Sequence, residues 1–101
     1  MKKSNLVWTN KVVEKIIGKH NIDPEEVEEV FDQDYLVYRA RNNSYLALGQ
    51  SFAGRYIAIF FKNLGEGNAK LITARDMVSK EKKLFRKKRR GKKWKKVKEK
   101  Q

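Results

Sequence analysis

The sequence contains no cysteine, which excludes disulfide bonds, thiolate metal sites and cysteine nucleophiles. It has one histidine, His20, and one proline, Pro24. No uninterrupted apolar run is long enough to cross a bilayer, and the first residues lack the apolar segment of a signal peptide. We therefore expect a cytoplasmic protein that does not enter a membrane.

Negative charge is scarce in the last quarter of the chain. Residues 77–101 carry 14 Lys and Arg against 2 Asp and Glu, so they hold all but one of the 13 net positive charges. A nearly neutral body with a dense cationic arm indicates a polyanionic partner, and nucleic acid is the commonest of these. A tail that only keeps the protein in solution is the alternative interpretation.

The chain is long enough for one small domain. We expect this domain to cover residues 1–90 and to be followed by a basic tail at residues 91–101, disordered when nothing is bound. Trp94 lies in that tail, where it has no core to join. An aromatic side chain among lysines is suited to stacking on an unpaired base.

Two helices are predicted in the first third of the chain, after a short strand at residues 6–8. The helical spacing of apolar residues predicts a first helix that ends near Gly18. The second helix has the clearest local signature in the sequence: Asp23 as N-cap, Pro24 at the first helical position and Glu26 completing a capping box.

The apolar pattern then changes to the alternation that is typical of strands. Short connectors between the strands indicate antiparallel neighbours. Ser79 as N-cap, with Glu81 in the first turn, predicts a third helix. We predict an α+β fold in the order β-α-α-β-β-β-β-α, with helices against one face of a small antiparallel sheet. The four strands of the second half are expected at residues 35–41, 45–50, 55–62 and 69–75.

Strand pairing brings two arginines to one end of the predicted sheet. If residues of the last two strands are paired one by one from the connector at residues 63–68, Arg75 falls beside Tyr56. The same procedure from the connector at residues 51–54 places Gln50 opposite Arg55. Guanidinium groups on strands about 5 Å apart repel each other unless an anion lies between them. A phosphate fits such a gap because it accepts the planar fork of donors of each guanidinium. The alternative is that both arginines are ordinary solvated residues at strand ends.

Further candidate residues lie on the first and third helices. His20 is suited to proton transfer because imidazole changes its charge near neutral pH. Alternatively, it interacts with the C-terminal dipole of the first helix. No phosphate-binding glycine loop, catalytic triad or metal-ligand cluster is present, so no metal or cofactor is expected. Contacts to RNA phosphates are predicted for the basic residues of the third helix: Lys80, Lys83, Arg86 and Lys87.

A series of short motifs runs through residues 6–90: Trp8, Lys19-His20, Glu25-Glu26, Val30-Phe31, Tyr45-Leu46-Ala47-Leu48-Gly49, Gly54-Arg55, Thr73-Ala74-Arg75, Ser79 and Glu81. In order and spacing, these motifs resemble those of the BrnT toxin family. The resemblance implies a fold akin to the RelE-type microbial ribonucleases and a toxin that cleaves RNA without the ribosome. It also implies a cognate antitoxin, usually of the ribbon-helix-helix kind. The protein would then form either a homo-oligomer or a hetero-oligomer with this antitoxin.

Carried over by position, the resemblance implies a catalytic set of Lys19, His20, Arg55 and Arg75. The resulting hypothesis is metal-independent RNA cleavage, in which a 2′-hydroxyl attacks the adjacent phosphorus and the two arginines stabilise the charge that develops. Lys19 or His20 would assist proton transfer or hold the scissile phosphate.

The chain also departs from the family pattern. If cleavage requires the polar groups that are missing, the protein would be a non-catalytic basic module that binds nucleic acid. A third possibility is a protein that only docks an acidic antitoxin segment. The departures at the family's polar positions are Thr9, Val12, Ile16 and Gln50.

Overall fold

The computed structural model describes residues 6–91, and the side chains among them as far as residue 88. The predicted element order and the α+β class are confirmed. Of the predicted tail, Gly91 is the last residue of α3, and residues 92–101, which include Trp94, lie outside the described residues. In the part that is described, no helix has the length and apolar composition needed to cross a membrane. The elements are β1 (Leu6–Val7), α1 (Asn10–His20), α2 (Pro24–Phe31), β2 (Leu36–Arg39), β3 (Ser44–Gln50), β4 (Tyr56–Gly65), β5 (Asn68–Asp76) and α3 (Ser79–Gly91).

The five strands form one sheet in the order β1-β5-β4-β3-β2. Strands β2 to β5 are antiparallel to their neighbours, as their short connectors predict. β1 pairs with β5 in parallel, so the sheet is mixed rather than purely antiparallel. Parallel neighbours need a long connection, and everything from α1 to β4 lies between these two strands in the sequence.

Helices cover both faces of the sheet, so the prediction that they pack against one face is wrong. Ile57 and Ile59 of β4 share a core with α1 and α2. Ala58, between them, belongs to a second cluster that contains Phe85 of α3. A strand that is apolar at successive positions indicates burial on both faces. Residues 56–61 of β4 carry that signal, which the sequence prediction did not use.

Helix α1 ends at His20, two residues beyond the predicted end at Gly18. The chain turns at Asn21, which adopts the left-handed conformation with φ 54°. Asparagine tolerates this conformation and therefore ends helices in place of glycine. The next residue, Ile22, is fully buried, which fixes the turn against the core. His20 is thereby held at the end of the sheet.

The predicted strand registers are wrong by one or two residues. Arg75 is paired with Ala58, and Gln50 is paired with Tyr56. Irregularities in the β4–β5 pairing, one of them between Phe60 and Phe61, shift the register along the hairpin. An extra residue in one strand of a pair changes which side chains face each other. A shift of one residue moves a side chain to the opposite face of the sheet.

Candidate active site

Several elements meet where β3 and β5 end and β4 begins. The C-terminal turn of α1, the first turn of α2 and the first turn of α3 reach the same end of the sheet. We call this region the sheet-end site. It is defined by His20, Glu26, Arg55, Asp76 and Lys82.

Arg55 is the centre of the polar contacts in this site. Its Nε donates to Asp76 Oδ1 at 2.8 Å, and its Nη2 donates to Asp76 Oδ2 at 3.2 Å. Nη1 donates to Glu26 Oε1 at 3.0 Å and to the Asn21 carbonyl at 2.9 Å. Nη2 also donates to the His20 carbonyl at 3.3 Å. These bonds use all the donors of a guanidinium, so Arg55 ties β4 to β5, to α2 and to the end of α1.

Arg75 makes a separate set of contacts with the first turn of α3. Its two terminal nitrogens donate to the carboxylate of Glu81 at 2.8 and 2.9 Å, and its guanidinium carbon lies 5.3 Å from the centroid of the Phe60 ring. Glu81 also accepts the backbone N–H of Val78 at 3.0 Å. Ser79 is the first residue of the helix rather than its predicted N-cap, and Glu81 satisfies the backbone donor instead.

The prediction that Arg55 and Arg75 share one phosphate is therefore wrong. Arg55 bonds to the helices on one face of the sheet, and Arg75 bonds to the helix on the other. The repulsion between two arginines is relieved by carboxylates of the chain itself, each arginine having its own partner. Gln50 does not join them either: its side chain donates to the Gly54 carbonyl at 3.0 Å and closes the β3–β4 turn.

His20 is the last residue of α1 and is partly buried. The hydrogen bond from Arg55 is the largest cause that lowers the pKa of Asp76, and the charges of Lys82 and His20 lower it further. The carboxylate of Asp76 thus lies near enough to the ammonium group and to the imidazole for their charges to act on it. Lys19 precedes His20 and is exposed.

Tyr56, at the start of β4, contacts two cations of α3 through its ring. Lys82 Nζ is 5.8 Å from the centroid of its ring, and the Arg86 guanidinium carbon is 5.7 Å from the same point. Cations are attracted to the face of an aromatic ring at such distances. The other basic residues predicted on this helix, Lys80, Lys83 and Lys87, have exposed side chains.

Sequence reasoning missed Asp76 and Lys82 as members of the site. Asp76 adjoins the predicted Arg75, so an acidic residue at a strand end beside an arginine was an available signal. Lys82 was one of several lysines on a basic helix, and nothing local distinguished it. Glu26 was predicted only as a helix cap. It accepts the Asp23 backbone N–H at 3.0 Å and binds Arg55 with the same oxygen.

The two arginine–carboxylate pairs predict a loss of stability in acid. Hydrogen bonds from Arg55 and Arg75 are the largest causes that lower the pKa of Asp76 and of Glu81 below their ordinary values of 3.8 and 4.5. A carboxyl group with a lowered pKa stabilises the folded state above its ordinary pKa, and this stabilisation is lost as the pH falls through the lowered value. We expect the free energy of unfolding, measured in urea, to fall steeply below about pH 4.5.

The control for this prediction is the double variant Asp76→Asn/Glu81→Gln. We expect this variant to be less stable than the wild type at neutral pH. Its free energy of unfolding should also change less than that of the wild type over the same acid range. An acid dependence as steep as that of the wild type would show that other carboxyl groups cause it.

The comparisons with known proteins agree with this architecture. A family model described as "Ribonuclease toxin, BrnT, of type II toxin-antitoxin system" matches residues 8–81. Among solved structures, the chain is similar to the Brucella abortus ribonuclease toxin BrnT, known from a 1.1 Å crystal structure. The TM-score is 0.63 at 23% sequence identity, and the alignment covers 73% of this chain and 96% of that one. No match was found among curated proteins.

The structural likeness, at this level of identity, concerns the fold. The family match spans most of the chain and includes His20, Arg55, Asp76 and Arg75. The chain therefore belongs to the BrnT family, the ribonuclease toxins of type II toxin–antitoxin systems.

Proposed function

We propose that this protein is an endoribonuclease that cleaves RNA by transesterification at the sheet-end site. In this reaction the 2′-hydroxyl attacks the adjacent phosphorus, the bond to the 5′-oxygen breaks, and a 2′,3′-cyclic phosphate is left. The proposal depends on one observation: Arg55 holds the carbonyls of His20 and Asn21, which fixes the turn that carries the only histidine.

His20 is the proposed proton-transfer group, taking the proton of the 2′-hydroxyl or giving one to the departing oxygen. The carboxylate of Asp76, which Arg55 holds, is the proposed electrostatic partner of His20. Lys82, which lies over the ring of Tyr56, stabilises the negative charge that develops on the phosphoryl oxygens. Lys19, exposed on the same turn, holds the phosphate.

Arg55 and Arg75 have positioning roles in this scheme, because their donors are engaged with the chain itself. This replaces the sequence-based expectation that both contact the scissile phosphate. Arg55 positions the turn of His20. Arg75 positions the start of α3 and thereby Lys82.

Helix α3 supplies affinity for RNA that does not depend on its sequence. Its exposed lysines contact phosphates that flank the cleaved bond, and each contact releases counterions from the RNA. Trp94 remains a predicted base-stacking residue outside the described part of the chain. The residues proposed for these phosphate contacts are Lys80, Lys83, Arg86 and Lys87.

A type II toxin has a cognate antitoxin, and we propose that the antitoxin of this protein is of the ribbon-helix-helix kind. The resemblance seen in the sequence supports this proposal. Expression of the chain alone should arrest growth, and co-expression of the antitoxin should relieve the arrest.

The chemical proposal is tested with two end-labelled substrates of the same sequence, one RNA and one with 2′-deoxynucleotides throughout. In EDTA, the protein should cleave the RNA to products with 2′,3′-cyclic phosphate ends and leave the deoxy substrate intact. The mechanism is wrong if both substrates are cut equally, or if cutting occurs only after Mg²⁺ is added.

The alternative is a module that binds nucleic acid without cutting it. It is favoured by family polar positions that have structural roles here: Ile16 is fully buried, Thr9 caps α1 by accepting the Val12 N–H at 3.2 Å, and Gln50 closes a turn. Such a module would bind the labelled RNA with strong salt dependence and leave it uncut in the same assay.

A further inference from the structure

A groove of about 600 Å³ lies beside the first half of α1, away from the sheet-end site. Four lysines line it: Lys11 and Lys15 from α1, and Lys62 and Lys70 from the β4–β5 hairpin. Val12, Leu71 and Ile72 give it an apolar part, and among the described residues its lining includes no Asp or Glu. We call it the lysine groove.

The lysines of this groove are arranged in a way that folding alone does not favour. Lys62 and Lys70 are directly paired across β4 and β5, and like charges at paired positions destabilise a sheet. Lys11 and Lys15 are one helical turn apart, where like charges destabilise a helix. Two unfavourable pairs that line the same groove indicate a ligand whose negative charges neutralise them.

The lysine groove leads toward the sheet-end site. Both α1 and β5 begin at the groove and end at that site, since His20 and Asp76 are their last residues. Because an α-helix rises about 1.5 Å per residue, Lys15 lies about 8 Å from His20 along the axis of α1. Because a strand rises about 3.3 Å per residue, Lys70 lies about 20 Å from Asp76 along β5. A ligand with regularly spaced negative charges is therefore able to contact both regions.

We propose that the lysine groove binds the phosphate backbone of the RNA strand that continues from the sheet-end site. This inference rests on the proposed ribonuclease function and adds a second contact region to it, separate from α3. The ammonium groups bind phosphates as point charges, and the apolar part of the groove contacts ribose and base. The groove therefore adds affinity without reading the base sequence.

The test is the affinity for a fluorescent 2′-O-methyl RNA, whose blocked hydroxyl cannot take part in the proposed cleavage. Lys70→Glu should weaken binding roughly tenfold at low salt. It should also make the fall of log affinity with log salt less steep, by about 0.7 or more in the slope. Its melting temperature should stay equal to or above that of the wild type, because repulsion opposite Lys62 is removed. Weaker binding with retained stability cannot be caused by unfolding.

Two further variants complete the experiment. Arg39→Glu, at an exposed position of β2 on the far side of the sheet, makes the same change in net charge and should alter affinity much less. Lys15→Glu, on the other wall of the groove, should reproduce the loss seen with Lys70→Glu. Equal losses in Lys70→Glu and Arg39→Glu would overturn the proposal, because net charge alone would then explain them.

The outcomes separate this inference from the proposed function. Groove-dependent binding by a wild-type protein that leaves RNA uncut supports the groove and contradicts the catalytic proposal. RNA cleavage by the wild type, together with unchanged RNA affinity in Lys70→Glu, supports the catalytic proposal and contradicts the groove. If Lys70→Glu loses only binding to a polyglutamate peptide, the groove serves an acidic protein segment, and the RNA assignment is wrong. If the wild type binds no RNA analogue, the groove proposal fails, and the cleavage assay alone decides the catalytic proposal.

Discussion

Replacing His20 with glutamine is expected to slow RNA cleavage by about 10²- to 10⁴-fold, which is the usual contribution of a general acid or base. Glutamine is close to histidine in size and polarity but does not exchange protons near neutral pH. The contacts that fix this turn should survive, because Arg55 binds the backbone carbonyl of residue 20 rather than its side chain. The free energy of unfolding should therefore change by less than about 1 kcal/mol.

The measurement combines initial cleavage rates in EDTA with urea unfolding of the same preparations. Glu14→Gln, at an exposed position of α1, is the control and should change neither quantity appreciably. A His20→Gln variant that cleaves within about threefold of the wild-type rate would remove histidine from the mechanism. Lys19 would then be the next candidate for proton transfer.

Replacing Arg55 with lysine is expected to destabilise the fold by about 2–3 kcal/mol, although the charge is retained. Lysine cannot donate to Asp76, Glu26 and two carbonyls at once, so several groups at this end of the sheet lose their partner. The loss is limited because 59% of the Asp76 side chain is exposed, so water replaces part of the lost hydrogen bonding. Arg41→Lys, at an exposed position, should change stability by less than about 0.5 kcal/mol.

A positioning role for Arg55 makes a second prediction that instability alone does not. At a temperature where Arg55→Lys is still folded, kcat should fall while KM changes little, because His20 is displaced but the RNA contacts of α3 remain. A normal kcat in the folded variant would mean that Arg55 serves stability alone. A raised KM with unchanged kcat would instead assign Arg55 to substrate binding.

The order of helices and strands could be predicted because its signals are local. Asp23, Pro24 and Glu26 mark the start of α2 within four residues, and the capping box is present in the structure. The short connectors of the later strands allow only antiparallel neighbours. The pairing of β1 with β5 has no such signal, since the partner of a two-residue strand at the edge of a sheet is decided by tertiary packing.

The candidate site was harder to predict than the fold because it depends on register. One residue of slip decides whether Arg75 faces the side of α3 or the side of α1, and the irregularity at Phe60 and Phe61 is set by packing on both faces. The sequence indicates which residues are positively charged. It does not indicate that Glu81, six positions beyond Arg75, neutralises it, because that contact depends on how α3 folds back onto the sheet.

The sheet separates the hydrophobic cluster of α3 from the larger core under α1 and α2. Substitutions on the outer surface of α3 therefore leave the main core and the turn of His20 untouched. The RNA contacts proposed for Lys80, Lys83 and Lys87 can therefore be changed without altering that core or that turn. By the same division, an antitoxin that covered only this helix would block the RNA contacts proposed for α3 and leave the turn of His20 already formed.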